Sequence, residues 1–96
     1  MDASSAAKRG RALAAASSSG RLADVERLLA AGADVHAYDD ISLLLASEKG
    51  HAAVVALLIA AGANVRALED LALRTATENG HDQVVRLLLA AGCGAC

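Results

Sequence analysis

Two series of glycines recur along the chain every thirty residues, in phase with each other. The triplet Ala-Ala-Gly ends at Gly32, Gly62 and Gly92, and a second series consists of Gly20, Gly50 and Gly80. A fixed period between about twenty and fifty residues is typical of a solenoid, in which similar units stack side by side. The predicted organisation is an N-terminal tail over 1–10, three repeats over 11–40, 41–70 and 71–92, and a C-terminal tail over 93–96.

Each repeat is predicted to form two helices joined by a short turn. In the second repeat the first helix covers 41–49, Asp40 is placed to cap it, and Gly50 ends it with the positive φ that glycine tolerates. The second helix, around 54–59, carries apolar residues at the i, i+3, i+4 spacing of a buried helix face. Helices of about three turns are unstable alone, so contacts between neighbouring repeats must hold them together. The sequence therefore predicts an all-α fold.

These segments resemble a known family. The run Gly50-His-Ala-Ala-Val-Val-Ala-Leu-Leu-Ile-Ala-Ala-Gly62 is similar to the second helix and following turn of an ankyrin repeat, and the run Asp70-Leu-Ala-Leu-Arg-Thr-Ala-Thr-Glu-Asn-Gly80 is similar to its first helix. The resemblance covers residues 11–96 and implies an α-solenoid of three ankyrin-like helix-turn-helix repeats. The usual repeat has about 33 residues and opens with Thr-Pro-Leu-His. Here three residues are missing from each inter-repeat loop, which predicts shortened fingers between the repeats.

Composition and charge argue against several classes of function. The nine Lys and Arg residues are scattered and the net charge is −2, so no basic stripe is available for nucleic acid. The apolar run from Val54 to Val65 is too short to cross a membrane and is interrupted by Gly62. The segment Met1–Ser19 lacks the apolar stretch of a secretory signal, so we expect a cytoplasmic protein.

The resemblance also implies a protein-binding surface. In ankyrin-like proteins the concave face is made by the inter-repeat loops and the exposed ends of the first helices. Six of the ten residues that match this face are acidic and one is basic, so we expect an electronegative groove that attracts a basic segment of another protein. Tyr38 and Leu68 are its predicted apolar anchors. The predicted partner-binding residues are Tyr38, Asp39, Asp40, Glu48, Lys49, Leu68, Glu69, Asp70, Glu78 and Asn79.

The two ends of the array differ in polarity. Asp24 and Arg27 stand where the later repeats have apolar residues, so the first repeat is predicted to be an N-terminal cap. The third repeat keeps apolar residues at these positions, so it is predicted to lack the polar outer face of a capping repeat. An alternative function is therefore self-assembly into a homo-oligomer through Val84, Leu87 and Leu88, unless the chain is a piece of a longer array.

Two groups of residues have spacings that also occur in metal-binding or redox sites. Glu48 and His51, like Glu78 and His81, form Glu-x-x-His pairs, but a glycine separates the members of each pair, so we expect the histidines to hydrogen-bond in the inter-helix turn. The Cys93-Gly-Ala-Cys96 motif follows a helix C-terminus, where the helix dipole disfavours the thiolate that a redox pair needs. A zinc site needs four ligands, and the sequence has no second pair of cysteines. The sequence predicts no cofactor, no metal and no enzymatic activity, with a metal or redox protein as the remaining alternative.

Overall fold

A computed structural model describes residues 3–92 of the chain, with side chains described from residue 8 onward. This part of the protein contains six helices and no strand, which confirms the predicted all-α fold. Because α1 begins at Ala3, it also covers most of the segment that was predicted to precede the repeats. The helices are α1 (Ala3–Ser19), α2 (Leu22–Ala30), α3 (Ala37–Lys49), α4 (Ala52–Ala60), α5 (Ala67–Glu78) and α6 (Asp82–Ala90).

The helices form two layers. The odd-numbered helices α1, α3 and α5 pack side by side in the first layer, and each of them also packs against the even-numbered helix that follows it. The even-numbered helices form the second layer, in which α4 contacts both α2 and α6. The molecule measures 40 × 24 × 19 Å, as expected for three hairpins stacked along one axis.

Small side chains allow the first layer to pack closely. Ala16, Ala46 and Ala76 occupy equivalent positions of α1, α3 and α5, and all three are buried. Larger aliphatic residues fill the space between the two layers, and each contributes about 1.5–3 kcal/mol when its side chain is fully buried. The fully buried aliphatic residues include Leu13, Val25, Leu43, Val54, Val55, Leu58, Val84 and Leu88.

The inter-repeat loops are short and contain no β-hairpin within the described chain, which confirms the predicted shortened fingers. Each loop leads into three consecutive residues with left-handed backbone angles, a feature that the sequence did not predict. Left-handed angles cost L-residues about 1–2 kcal/mol each. The φ angles are 54° at Tyr38, 57° at Asp39 and 60° at Asp40, then 56° at Leu68, 58° at Glu69 and 61° at Asp70.

The exposed residue Glu69 offers a test of this left-handed turn. Both Glu69→Gly and Glu69→Ala remove the carboxylate, but only glycine adopts a φ of 58° without strain. We expect the glycine variant to be more stable than the alanine variant by about 1 kcal/mol in the free energy of unfolding. At Glu26, which is exposed within α2, alanine should instead be the more stable by about 1 kcal/mol. Denaturant titration of the four variants checks both signs, and the same sign at both positions would contradict the left-handed turn.

Candidate protein-binding surface

The ten residues predicted to bind a partner lie at two opposite ends of the first-layer helices. Four exposed residues follow the inter-repeat loops and form the loop patch, which consists of Tyr38, Asp39, Leu68 and Glu69. Four others stand at the far ends of α3 and α5 and form the turn patch, which consists of Glu48, Lys49, Glu78 and Asn79. The helical segment 41–49 separates the patches by about 13 Å. The structure thus divides the predicted groove into two surfaces.

The loop patch carries two apolar side chains that are open to solvent. Tyr38 is 56% exposed and Leu68 is 50% exposed, at equivalent positions of successive repeats. The backbone of α1 runs close to the first loop, since a Cβ added to Gly10 would lie 2.9 Å from Ala37 Cβ and 3.9 Å from Tyr38 Cε2. One edge of the Tyr38 ring therefore faces α1, while most of its surface stays available for a partner.

A buried carboxylate ties the two inter-repeat loops together. Asp40 is only 6% exposed, and its Oδ2 accepts a hydrogen bond of 2.7 Å from the backbone N–H of Asn64 in the next loop. Both carboxylate oxygens also lie 3.1 Å from His36 Nδ1. Asp40 was predicted to cap α3 and to contact a partner. Its burial withdraws it from the surface, and its hydrogen bonds fix the position of the second loop instead.

The other predicted acidic residue of this region, Asp70, is half-buried beside a basic side chain. Its Oδ1 lies 3.5 Å from Arg66 Nε, four residues earlier in the chain. The loop segments 31–40 and 61–70 together carry five carboxylates and one arginine, a net charge of −4. The turn patch has two carboxylates and one lysine, a net charge of −1. The predicted excess of negative charge is therefore concentrated around the loop patch.

Part of the turn patch serves the packing between repeats. His81 Nε2 donates a hydrogen bond of 2.9 Å to the carbonyl oxygen of Glu48, and Asn79 Nδ2 donates one of 3.1 Å to the same oxygen. His51 Nε2 makes the equivalent bond of 2.9 Å to the carbonyl of Ser18. The histidines were expected to bond within their own turns. The structure shows that they reach the preceding repeat and join neighbouring repeats.

The Glu-x-x-His pairs form no larger metal-binding group in the structure. Within the described residues, no three His, Cys, Asp or Glu side chains lie close enough together to hold a metal ion. The Nε2 atoms of His51 and His81 are occupied by backbone carbonyls. Cys93 and Cys96 lie outside the described residues.

The residues predicted for self-association do not form the end of the array. Val84 and Leu88 are buried and Leu87 is half-buried. The polar residues of the first repeat explain this, because Asp24 aligns with Val84 and Arg27 with Leu87, and both stand on the side of α2 that faces away from the second repeat. Val84, Leu87 and Leu88 accordingly face the second repeat. The prediction that these residues mediate self-association was wrong, because they lie on the face of α6 that packs inside the array.

The surface of the third repeat that faces away from the second repeat contains other apolar residues. Leu89 is 46% exposed, whereas its equivalents Leu29 and Ile59 are partly buried against the core. Leu73 and Val85 are half-buried, whereas their equivalents Leu43 and Val55 in the second repeat are buried. Position 29 and its equivalents thus face the following repeat, and sequence periodicity alone could have separated them from position 27 and its equivalents.

Comparison with known proteins identifies the family to which this architecture belongs. No helix in the described part of the chain has the length and apolar character needed to cross a membrane. No curated protein matches the chain. A family model of ankyrin repeats matches residues 12–95 in three copies, the same number of helical hairpins that the structure shows. This match covers nearly the whole chain, and the protein therefore belongs to the ankyrin repeat family.

Proposed function

We propose that this protein binds a basic segment of another protein on its loop patch. Ankyrin repeats are in general protein–protein interaction modules and are typically not enzymes. The observation that carries the proposal is the pair Tyr38 and Leu68, two large apolar side chains that are half exposed at equivalent positions. Exposed apolar side chains that stand together among polar residues mark binding sites more often than single ones do.

The geometry of the loops supports a fixed spacing between these two anchors. Neighbouring packed helices lie about 8–10 Å apart, so Tyr38 and Leu68 are separated by roughly that distance. A peptide in the polyproline II conformation has three residues per turn and advances about 3.1 Å per residue, so its apolar residues three positions apart lie on one face, about 9 Å apart, and would reach both anchors. Because Asp40 fixes the second loop against the first, the anchors are held in place before a partner arrives.

Charge supports a basic partner. The exposed carboxylates of Asp39 and Glu69 flank the two anchors, and the surrounding loops carry a net charge of −4. Such a surface speeds the encounter with a positively charged segment and slows it for an acidic one. Salt at physiological strength screens exposed charges beyond about 8 Å, so the association rate should fall as salt is added.

The test is a selection of short peptides from a random library on the immobilised protein. We expect the enriched peptides to carry net positive charge and two apolar residues about three positions apart. Their affinity for the Tyr38→Ala/Leu68→Ala variant should be at least tenfold lower than for the wild type. A tenfold loss corresponds to about 1.4 kcal/mol of binding free energy, which the loss of a single buried anchor would account for. It should also weaken between low salt and physiological salt.

The matched control is Leu22→Ala/Lys49→Ala, which truncates one exposed leucine and one exposed charged residue outside the loop patch. This variant should bind the selected peptides as the wild type does. Enrichment of acidic peptides, or equal losses in the two double variants, would show that the loop patch is not the binding surface.

A further inference from the structure

The two contacts between repeats inside this chain show how one repeat receives the next. We propose that a second copy of the chain uses the same contact, docking its first repeat on the third repeat of the first copy in a head-to-tail arrangement. The proposal rests on three features at the two ends of the array. The first is an unoccupied site over Gly80, called the seat below, and the second is a side chain of the first repeat that could occupy it. The third is a recess in the first repeat that matches an exposed leucine of the third repeat.

The seat is a glycine beside a free carbonyl oxygen. A Cβ on Gly20 would lie 2.7 Å from the His51 ring, and a Cβ on Gly50 would lie 2.6 Å from the His81 ring. Each ring thus lies directly over the glycine that ends the first helix of the preceding repeat, and bonds to a carbonyl two residues before that glycine. The third repeat has the same glycine, Gly80. In the described part of the chain, no atom lies within 4 Å of the position that its Cβ would take.

The carbonyl beside this empty seat also lacks a donor. The oxygens of Ser18 and Glu48 each accept a bond from the histidine of the next repeat. Glu78 is the equivalent residue in the third repeat, and among residues 3–92 no group donates to its carbonyl oxygen. The third repeat therefore keeps both halves of the histidine site, the open glycine and the acceptor.

The first repeat carries the side chain that fits this seat. Arg21 occupies the position of His51 and His81, and it is exposed in the described part of the chain. Its guanidinium is planar like an imidazole, so it can lie over a glycine, and it has five N–H donors for a carbonyl. The exposed Glu78 carboxylate lies on the same residue as the acceptor and adds an opposite charge.

An open recess of about 400 Å³ lies beside Arg21 at the same end of the array. It is opened by small residues, since Ala15 stands where the second repeat has Leu45. The complementary feature at the other end is Leu89, which is 46% exposed, whereas its equivalents Leu29 and Ile59, each of which has a repeat after it, are partly buried against the core. The recess is lined by residues that include Ala12, Ala15, Arg21, Asp24, Arg27 and Leu28.

The two ends also carry opposite net charge. Residues 8–27 contain five basic and two acidic side chains, a net charge of +3, whereas residues 67–92 contain four acidic and two basic ones, a net charge of −2. Because Asp24 and Arg27 replace the apolar residues of the internal contacts, the intermolecular contact is weaker than the internal ones. It should appear as a reversible, concentration-dependent association.

The experiment is sedimentation velocity on the full chain under reducing conditions, from about 10 µM to about 1 mM, a range that detects weak association. The wild type should shift to larger species as concentration rises. Leu89→Glu disrupts the docking surface of the third repeat, and Arg21→Glu/Arg27→Glu disrupts that of the first repeat. Each variant should dissociate at least tenfold more readily than the wild type. Leu22→Glu, with an equally large change at a leucine that is 36% exposed on α2, should behave as the wild type does.

Mixing the two disabled variants distinguishes this arrangement from a symmetric dimer. A head-to-tail contact is heterologous, so each variant keeps the half that the other has lost. The equimolar mixture should form a one-to-one dimer and nothing larger, although each variant alone is monomeric. This recovery also shows that both variants are folded.

Three results would overturn the proposal. The first is a wild type that remains monomeric at the highest concentration. The second is a mixture that stays monomeric when both variants keep native helix content by circular dichroism. The third is association that Leu89→Glu abolishes but Arg21→Glu/Arg27→Glu leaves unchanged, which would indicate a symmetric contact between two third repeats.

Discussion

Gly50→Ala is expected to lower the free energy of unfolding by about 3 kcal/mol, whereas Gly80→Ala should lower it by about 1 kcal/mol. Both glycines end a first-layer helix, with φ angles of 78° and 74°, so alanine introduces the same backbone strain at each. At Gly50 the new Cβ would also lie 2.6 Å from His81 Nδ1. The ring would have to move, and its hydrogen bond to the Glu48 carbonyl would be lost.

The difference between these two variants measures the contact between repeats alone. Denaturant titrations should be run at a protein concentration that keeps the chain monomeric, because Gly80 also belongs to the proposed contact between copies. His81→Ala removes the ring, so Gly50→Ala should cost less in that background than in the wild type. Equal losses in Gly50→Ala and Gly80→Ala would show that His81 does not pack on Gly50.

The helical fold could be predicted because its signals are local and repeated. Gly50 ends α3 with a positive φ, as predicted, and the next N–H, that of His51, donates to the carbonyl of Ala46, as is common where a glycine ends a helix. The left-handed turn at 38–40 could not be predicted in this way. Aspartate adopts a positive φ more readily than most residues, but Tyr38, Leu68 and Glu69 have no such preference, so three left-handed residues in a row have no local sequence signal.

The residues of the candidate site could be predicted only where their position in the repeat determines whether the side chain is exposed. Tyr38 and Leu68 were identified because the resemblance to ankyrin repeats implies a binding face at the inter-repeat loops, and the structure leaves both exposed. The separation of the loop patch from the turn patch follows from the length of the helix between them, which the sequence also contained. The burial of Asp40 was not predictable, because it depends on a bond to Asn64, twenty-four residues away.

Asp40 provides the second large expected effect. Asp40→Ala removes the acceptor of the Asn64 N–H and leaves a part-buried backbone donor without its partner. Hydrogen bonds to a charged group contribute about 1.5–3 kcal/mol, so we expect the free energy of unfolding to fall by about 2 kcal/mol. Since the same bond fixes the second loop, peptides that bind the loop patch should also bind this variant more weakly, although Asp40 itself does not reach the surface.

The neighbouring Asp39→Ala is a closely matched control for this effect. Asp39 has nearly the same backbone angles as Asp40, with φ of 57° against 60°, and the same side chain, but it is exposed. Its replacement should change the free energy of unfolding by no more than about 0.5 kcal/mol, as is usual for surface positions. Both losses are measured by denaturant titration with a common slope. If Asp39→Ala proved as destabilising as Asp40→Ala, the loss would reflect charge or backbone strain, and the bond between the loops would not hold the second loop in place.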